Sequence, residues 1–150
     1  MHVEGRGVRV PLARSRVAAL ARRVLVAEGA RDAFVSIAFV GDREMATMNR
    51  EHLRHAGATD VLSFGFAAPG GRGRARRGPV IGDIYIAPAV ARENARRLGL
   101  AVREELARLV VHGILHVLGY DHPEGPGRTR SRMWRRQEQH VRSALGEYRS

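Results

Sequence analysis

The chain has 150 residues, 44% of them hydrophobic, no cysteine and a formal net charge of +11 at pH 7. That length suits one domain with one buried core, and the missing thiols exclude disulfides and thiolate metal sites, so a metal would have to be held by histidine or carboxylate. With neither a signal-peptide core nor a long uncharged apolar span in view, secretion and membrane insertion are not expected, and the cytoplasm is the expected compartment.

In chain order, GVRVPL near the start reads as a short strand. ARSRVAALARRVLVAE follows with Val17, Leu20, Val24 and Leu25 at helical spacing, and Gly29 ends that helix. AFVSIAFV, residues 33–40, is aromatic and β-branched and reads as a strand; Asp42 is a candidate N-cap for a helix running through Met45 and Met48. DVLSFGF from Asp60 and PVIGDIYI from Pro79 are two further strands, separated by the glycine- and arginine-rich loop APGGRGRARRGP. Pro88 suits the first turn of a helix to Arg97, closed by Gly99, and a longer helix from about Ala101 to Gly119 carries Leu106, Leu109, Val110 and Leu115 on one stripe. A last helix is expected over Met133 to Leu145, where Met133 reads as a core residue near Trp134. With no repeat or linker in evidence, residues 1–150 are expected to form a single α+β domain: a small mixed β-sheet of about four strands packed with about five helices.

All 26 residues counted as lysine or arginine are arginine. A guanidinium pairs with phosphate through a planar fork, so the excess charge points first to a nucleic acid, with a solvated basic surface as the competing reading.

The chemistry concentrates in HGILHVLGYDH, residues 112–122. Positions four apart lie one above the other on a helix, so His112 and His116 can present imidazoles to one ion, as in a zincin-like metal-binding helix. Gly119 then lets the chain reverse so that His122 can approach from the loop. Three nitrogen ligands with an open fourth position describe a catalytic site; a closed structural zinc with Asp121 as fourth ligand, or a core role for His116 with the other two histidines on the surface, are the alternatives. The metalloprotease pattern places a glutamate base second in this motif, and here that position is Gly113. Asp121 can otherwise orient a ligand imidazole from behind, Asp60 suits a hydrogen-bonding role at a strand entrance, and Asp83 faces either solvent or a cleft.

HGILHVLGYDH, together with NREHLR, TDVLSF and GDIYI upstream, resembles the YbeY family of metal-dependent endoribonucleases, in matching order from about Val35 to His122. The resemblance implies one divalent ion, zinc first, held by His112, His116 and His122; by affinity three imidazoles suit zinc, nickel or copper. It also implies cleavage of single-stranded RNA, with ribosomal RNA and ribosome-associated proteins as partners in ribosomal RNA maturation and ribosome quality control. Arg54 matches the family's arginine before TDVLSF, although Leu53 stands where a tyrosine is common, and Arg50 is its rival. Asp60, Ser63 and Asp83 are further candidates for the substrate cleft, and Arg72, Arg74, Arg76 and Arg77 for RNA contacts through their charge. An ion can acidify a water or polarise a phosphoryl oxygen without a carboxylate base, and the nucleophile can be that water or the RNA's own 2′-hydroxyl. A metalloprotease-like hydrolase and a non-catalytic ribosome-associated factor with a structural metal are the competing functions.

Overall fold

The computed structural model describes residues 1–30, 32–53, 60–65, 79–120, 127 and 131–149. Among them are four strands and five helices: β1 (His2–Gly5), α1 (Arg14–Ala27), β2 (Ala33–Phe39), α2 (Asp42–Leu53), β3 (Val61–Gly65), β4 (Val80–Ile86), α3 (Pro88–Leu98), α4 (Val102–Val117) and α5 (Arg132–Arg149). The strands form one mixed sheet in the order β1-β2-β4-β3, with β1, β2 and β4 parallel and β3 antiparallel on the edge beside β4. This is the expected α+β architecture.

Alternation along the strands sorts the core into two layers. Val35, Ile37 and Phe39 of β2 and Val80, Ile84 and Ile86 of β4 join the buried residues of α1, α4 and α5 in the main cluster. Ala38 and Leu62, from the opposite face, join Val40, Met45 and Ala87 in a second cluster, with Phe64 and Tyr85 packed against it.

The first strand lies earlier than the sequence suggests. β1 pairs with β2 from His2 to Gly5, and the ladder's last reach is the Arg6 amide donating to the Phe39 carbonyl at 2.8 Å. Gly7 then adopts φ 66°, a left-handed conformation that turns the chain off the sheet. The alternation of Val8, Val10 and Leu12 is real, but it records packing against the core without a strand partner. Most other boundaries move by a residue or two, α5 runs on to Arg149 past the expected end at Leu145, and Gly99 caps α3 at φ 67°.

Three glycines set how closely α4 approaches the sheet. A Cβ on Gly82 would stand 2.5 Å from Val117 Cγ1, one on Gly65 3.1 Å from the Val117 carbonyl oxygen, and one on Gly113 2.8 Å from Ile84 Cγ2. Glycine in a helix interior is worse than alanine by about 1 kcal/mol, yet overpacking a well-filled core typically costs about 1–3 kcal/mol, so at Gly113 the packing effect wins. Because Ile84 and Val117 are both buried and branched at Cβ, their methyl groups cannot swing aside without a change of rotamer. Replacing Gly82 with alanine should therefore lower the unfolding free energy by about 1–3 kcal/mol in urea denaturation; an unchanged midpoint would mean that α4 does not seat this closely.

Candidate metal centre

Helix α4 begins with Glu104 and Glu105 in its first turn, where carboxylates complement the helix dipole. It buries Leu106, Val110, Ile114 and Leu115 completely. It ends in a Schellman arrangement, with the Gly119 amide donating to the His116 carbonyl and the Tyr120 amide to the Leu115 carbonyl, both at 2.9 Å, and Gly119 at φ 96°. The two histidines thus sit on the last two turns, just before a reversal that only glycine adopts without strain.

The imidazoles of His112 and His116 lie edge to face, with ring centroids 4.7 Å apart and planes at 75°. His112 is buried and His116 half-buried. Nδ1 of His112 lies 2.6 Å from Oε1 of Gln137. An amide oxygen only accepts, so Nδ1 carries the proton and donates, which leaves the lone pair of the neutral ring on Nε2. The amide orientation is supported from its other end, where Gln137 Nε2 donates to Glu138 at 3.1 Å. A fixed acceptor behind one ring nitrogen is the usual support for a ligating histidine.

Gln137 is the residue that sequence reasoning missed. Helix α5 buries Met133, Gln137, Val141 and Ala144, one stripe at helical spacing. A single amide inside an otherwise apolar stripe was the available signal. The polar chain continues outward: Arg108 donates from Nε and Nη2 to the two carboxylate oxygens of Glu138, both at 2.9 Å, and also faces Glu104 at 3.5 Å and Glu105 at 3.6 Å. Burial pushes Glu138 up, but hydrogen bonds from Arg108 and Gln137 outweigh it and hold the carboxyl below its ordinary range. For Glu105 burial prevails over Arg108 and Asn94, and its carboxyl lies above the ordinary range.

A second cluster fixes the chain just beyond α4. Glu28, at the end of α1, accepts from Tyr120 Oη at 2.5 Å, Arg136 Nε at 2.6 Å and His140 Nε2 at 2.8 Å, and Arg132 stacks over the Tyr120 ring at 5.4 Å. Burial pushes the Glu28 carboxyl up, but the Tyr120 and His140 hydrogen bonds and the Arg136 charge together hold it below its ordinary value. Tyr120 immediately precedes Asp121 and His122.

Of the other candidates, Asp60 stands at the entrance of β3, with its carboxylate accepting from Asn94 at 3.2 Å and its carbonyl from the Ala87 amide at 3.0 Å. Ser63 pairs opposite Ile84 and so faces the α4 side of the sheet. Asp83 does not join the histidines. Its neighbours Gly82 and Ile84 face α4, so by alternation its carboxylate is on the far face, where it accepts from Ser36 Oγ at 2.7 Å. Gly113 packs on Ile84, so the absence of a glutamate there follows from helix–sheet packing. Arg54, Asp121, His122, Arg72, Arg74, Arg76 and Arg77 lie outside the described residues. Among the described residues no group of three metal-binding side chains occurs.

These features define a class: a small α+β protein whose histidine-bearing helix lies on a mixed sheet next to a glycine turn. The family model described as Endoribonuclease YbeY matches residues 6–144. A protein of Anaeromyxobacter sp. (strain Fw109-5) named Endoribonuclease YbeY is 44% identical over 119 residues, covering 79% of this chain and 58% of the relative. One of the same name from Thermobifida fusca (strain YX) is 40% identical over 118 residues, covering 77% and 76%. The solution structure of a Thermotoga maritima protein shares the fold, with a TM-score of 0.63 and 28% identity over 99% of this chain and 91% of that one. The chain belongs to the YbeY family. It spans only a little over half the length of some of the curated relatives it matches, such as the 58% above.

Two outcomes test the supports of this centre. Gln137→Leu leaves the His112 Nδ1–H buried without its acceptor and should lower stability by about 1–3 kcal/mol, read from urea denaturation with an unchanged slope. Because the folded carboxyl of Glu28 is depressed, its contribution is present above its ordinary value of 4.5 and is lost as pH falls through the lower folded value. Glu28→Gln should therefore flatten the acid limb of stability against pH, and an acid limb equal to the parent's would exclude Glu28 as its source.

Proposed function

We propose that this chain is a metal-dependent endoribonuclease that cleaves single-stranded RNA and acts in ribosomal RNA maturation and ribosome quality control in the cytoplasm. The observation that carries the proposal is the pair His112 and His116 on one helix face, with the Gln137 amide fixing the ligating tautomer of His112, in a chain of the YbeY family. Family relatives bear the name Endoribonuclease YbeY, and the charge of +11 suits a polyanionic substrate. Among the described residues no helix is long and apolar enough to cross a membrane.

The donor set fits a divalent ion. Two imidazoles with centroids 4.7 Å apart match a shared ion with each ring centre about 3 Å from it, given metal–nitrogen bonds of about 2.0–2.1 Å. His112, His116 and His122 would hold it. Three imidazoles suit zinc, with nickel the alternative. When bound, such an ion supplies Lewis acidity toward a phosphoryl oxygen and lowers the pKa of a coordinated water.

The chain's own groups do the rest. Gln137 keeps the His112 proton on Nδ1 through the reaction, and the Arg108–Glu138 pair holds Gln137 in turn. Arg54 would offer its guanidinium fork to the non-bridging oxygens as charge develops on them. Asp121 would orient a ligand ring from behind. Ser63 on β3 and Asp60 at its entrance would contribute to a substrate cleft, and Arg72, Arg74, Arg76 and Arg77 would follow the RNA backbone by charge.

The metalloprotease reading is disfavoured by a specific observation: at Gly113, the position that would carry the glutamate base, even a Cβ would meet Ile84 at 2.8 Å. The deciding experiment is single-turnover cleavage of a defined single-stranded RNA by highly purified protein, with thermal unfolding of each variant alongside. His116→Ala and Arg54→Ala should each lower the rate on the order of a hundredfold or more while remaining folded, and a chelator should abolish cleavage. Equal rates in folded variants would overturn the assignment of the nuclease to this site.

A further inference from the structure

A concavity of about 810 Å³ lies far from the histidines, between the segment after β1, helix α3 and the start of α4. Its walls include Arg9, Arg92 and Arg103, with Val10, Pro11 and Val102 between them, and contain no carboxylate among the described residues. Its cations differ from several others on the molecule. Arg6, Arg96, Arg108 and Arg136 are each engaged by glutamates, whereas no carboxylate among the described residues pairs with Arg9, Arg92 or Arg103. Arg92 is also held in place: its Nη2 donates to the Arg9 carbonyl at 2.9 Å, which fixes the guanidinium while its remaining donors meet no carboxylate among the described residues.

Three guanidiniums around one hollow, none paired with a carboxylate among the described residues, raise its affinity for anions, and a guanidinium fork matches the paired oxygens of a phosphate. The hollow is open and has no aromatic wall among the described residues, unlike the enclosed, mostly apolar pockets that bury small molecules. An extended phosphodiester chain fits such a surface, because each phosphate presents charge at the rim while sugar and base remain in solvent. The hollow opens at Val102 and the histidine pair ends at His116 on the same helix, so the two sites lie about 21 Å apart at 1.5 Å per residue.

We infer that this groove binds backbone phosphates of the RNA at a distance from the point of cleavage, so that long RNAs are held at two places and short ones at one. The inference rests on the RNA-cleaving reading of the histidine site.

The test uses the full chain, with binding measured in an inactive His116→Ala background and cleavage in the parent. Two single-stranded RNAs are compared, one long enough to span both sites and one too short. The triple change Arg9→Ser, Arg92→Ser and Arg103→Ser should lower the slope of log affinity against log salt for the long RNA by about 2, at about 0.7 per lost phosphate contact. Cleavage of the short RNA, which needs only the histidine site, should be unchanged. Arg9→Ser with Arg103→Ser, which spares the Arg92 anchor, should lower the slope by about 1.4. An unchanged slope for the long RNA overturns the inference. So does an equal loss of cleavage for both RNAs, or an equal loss of slope in the charge-matched control Arg22→Ser, Arg43→Ser and Arg135→Ser. Displacement of the long RNA by inorganic phosphate or polyglutamate as effectively as by unlabelled long RNA would also overturn it, in favour of a small anion or an acidic polypeptide. Failure of the underlying reading looks different, because the parent would then cleave neither RNA.

Discussion

Helix α4 lies against β3 and β4 at a distance that side chains would prevent. Gly113 on the helix faces Ile84 on the sheet, while Gly82 and Gly65 on the sheet face Val117 on the helix, so small and branched residues interlock from both sides. Close seating turns Val117 and Gly113 inward, which by helical geometry carries His112 and His116 to the flank of the same helix, off the sheet. The rest of the candidate centre depends on that seating: α5 meets the flank with Gln137, and the Schellman turn at Gly119 closes the helix just after His116.

Buried polarity is organised around the same helix. His112, Gln137, Glu138, Arg108 and Glu104 form one connected series from the core to the surface, and a second series joins Glu28 to Tyr120, Arg136 and His140. A buried amide or carboxylate with its partners in place fixes geometry, whereas the same group missing one partner costs more than an apolar residue would. Both series tie α5 to elements on either side of it, so the last helix acts as the rear wall of the centre.

Much of this was legible in the sequence. Helical spacing and the punctuating residues Gly29, Pro88, Gly99 and Gly119 located the helices, and β-branched runs located three of the four strands. HGILHVLGYDH marked the pairing of His112 with His116 because a four-residue spacing has one geometric meaning on a helix. GVRVPL misled because alternation reports burial, and a segment can bury alternate residues against a core without a strand partner. Asp83 stayed undecided because an acid in an apolar strand looks the same whichever face it takes; it is on the face away from the histidines, bonded to Ser36. The empty second position of the histidine motif suggested a chemical meaning, and packing against Ile84 supplies a structural one.

The sequence by itself determined the element types, the family resemblance, the histidine pair and the excess of arginine, because periodicity, motif spacing and charge are properties of the chain alone. Only the tertiary structure decided that Gln137 stands behind His112 across 25 residues, that GDIYI needs its glycine for Val117, and that Arg9, Arg92 and Arg103 border one hollow. Contacts between distant segments depend on how helices seat on a sheet, and that seating is set by the joint fit of many side chains, which no local pattern records.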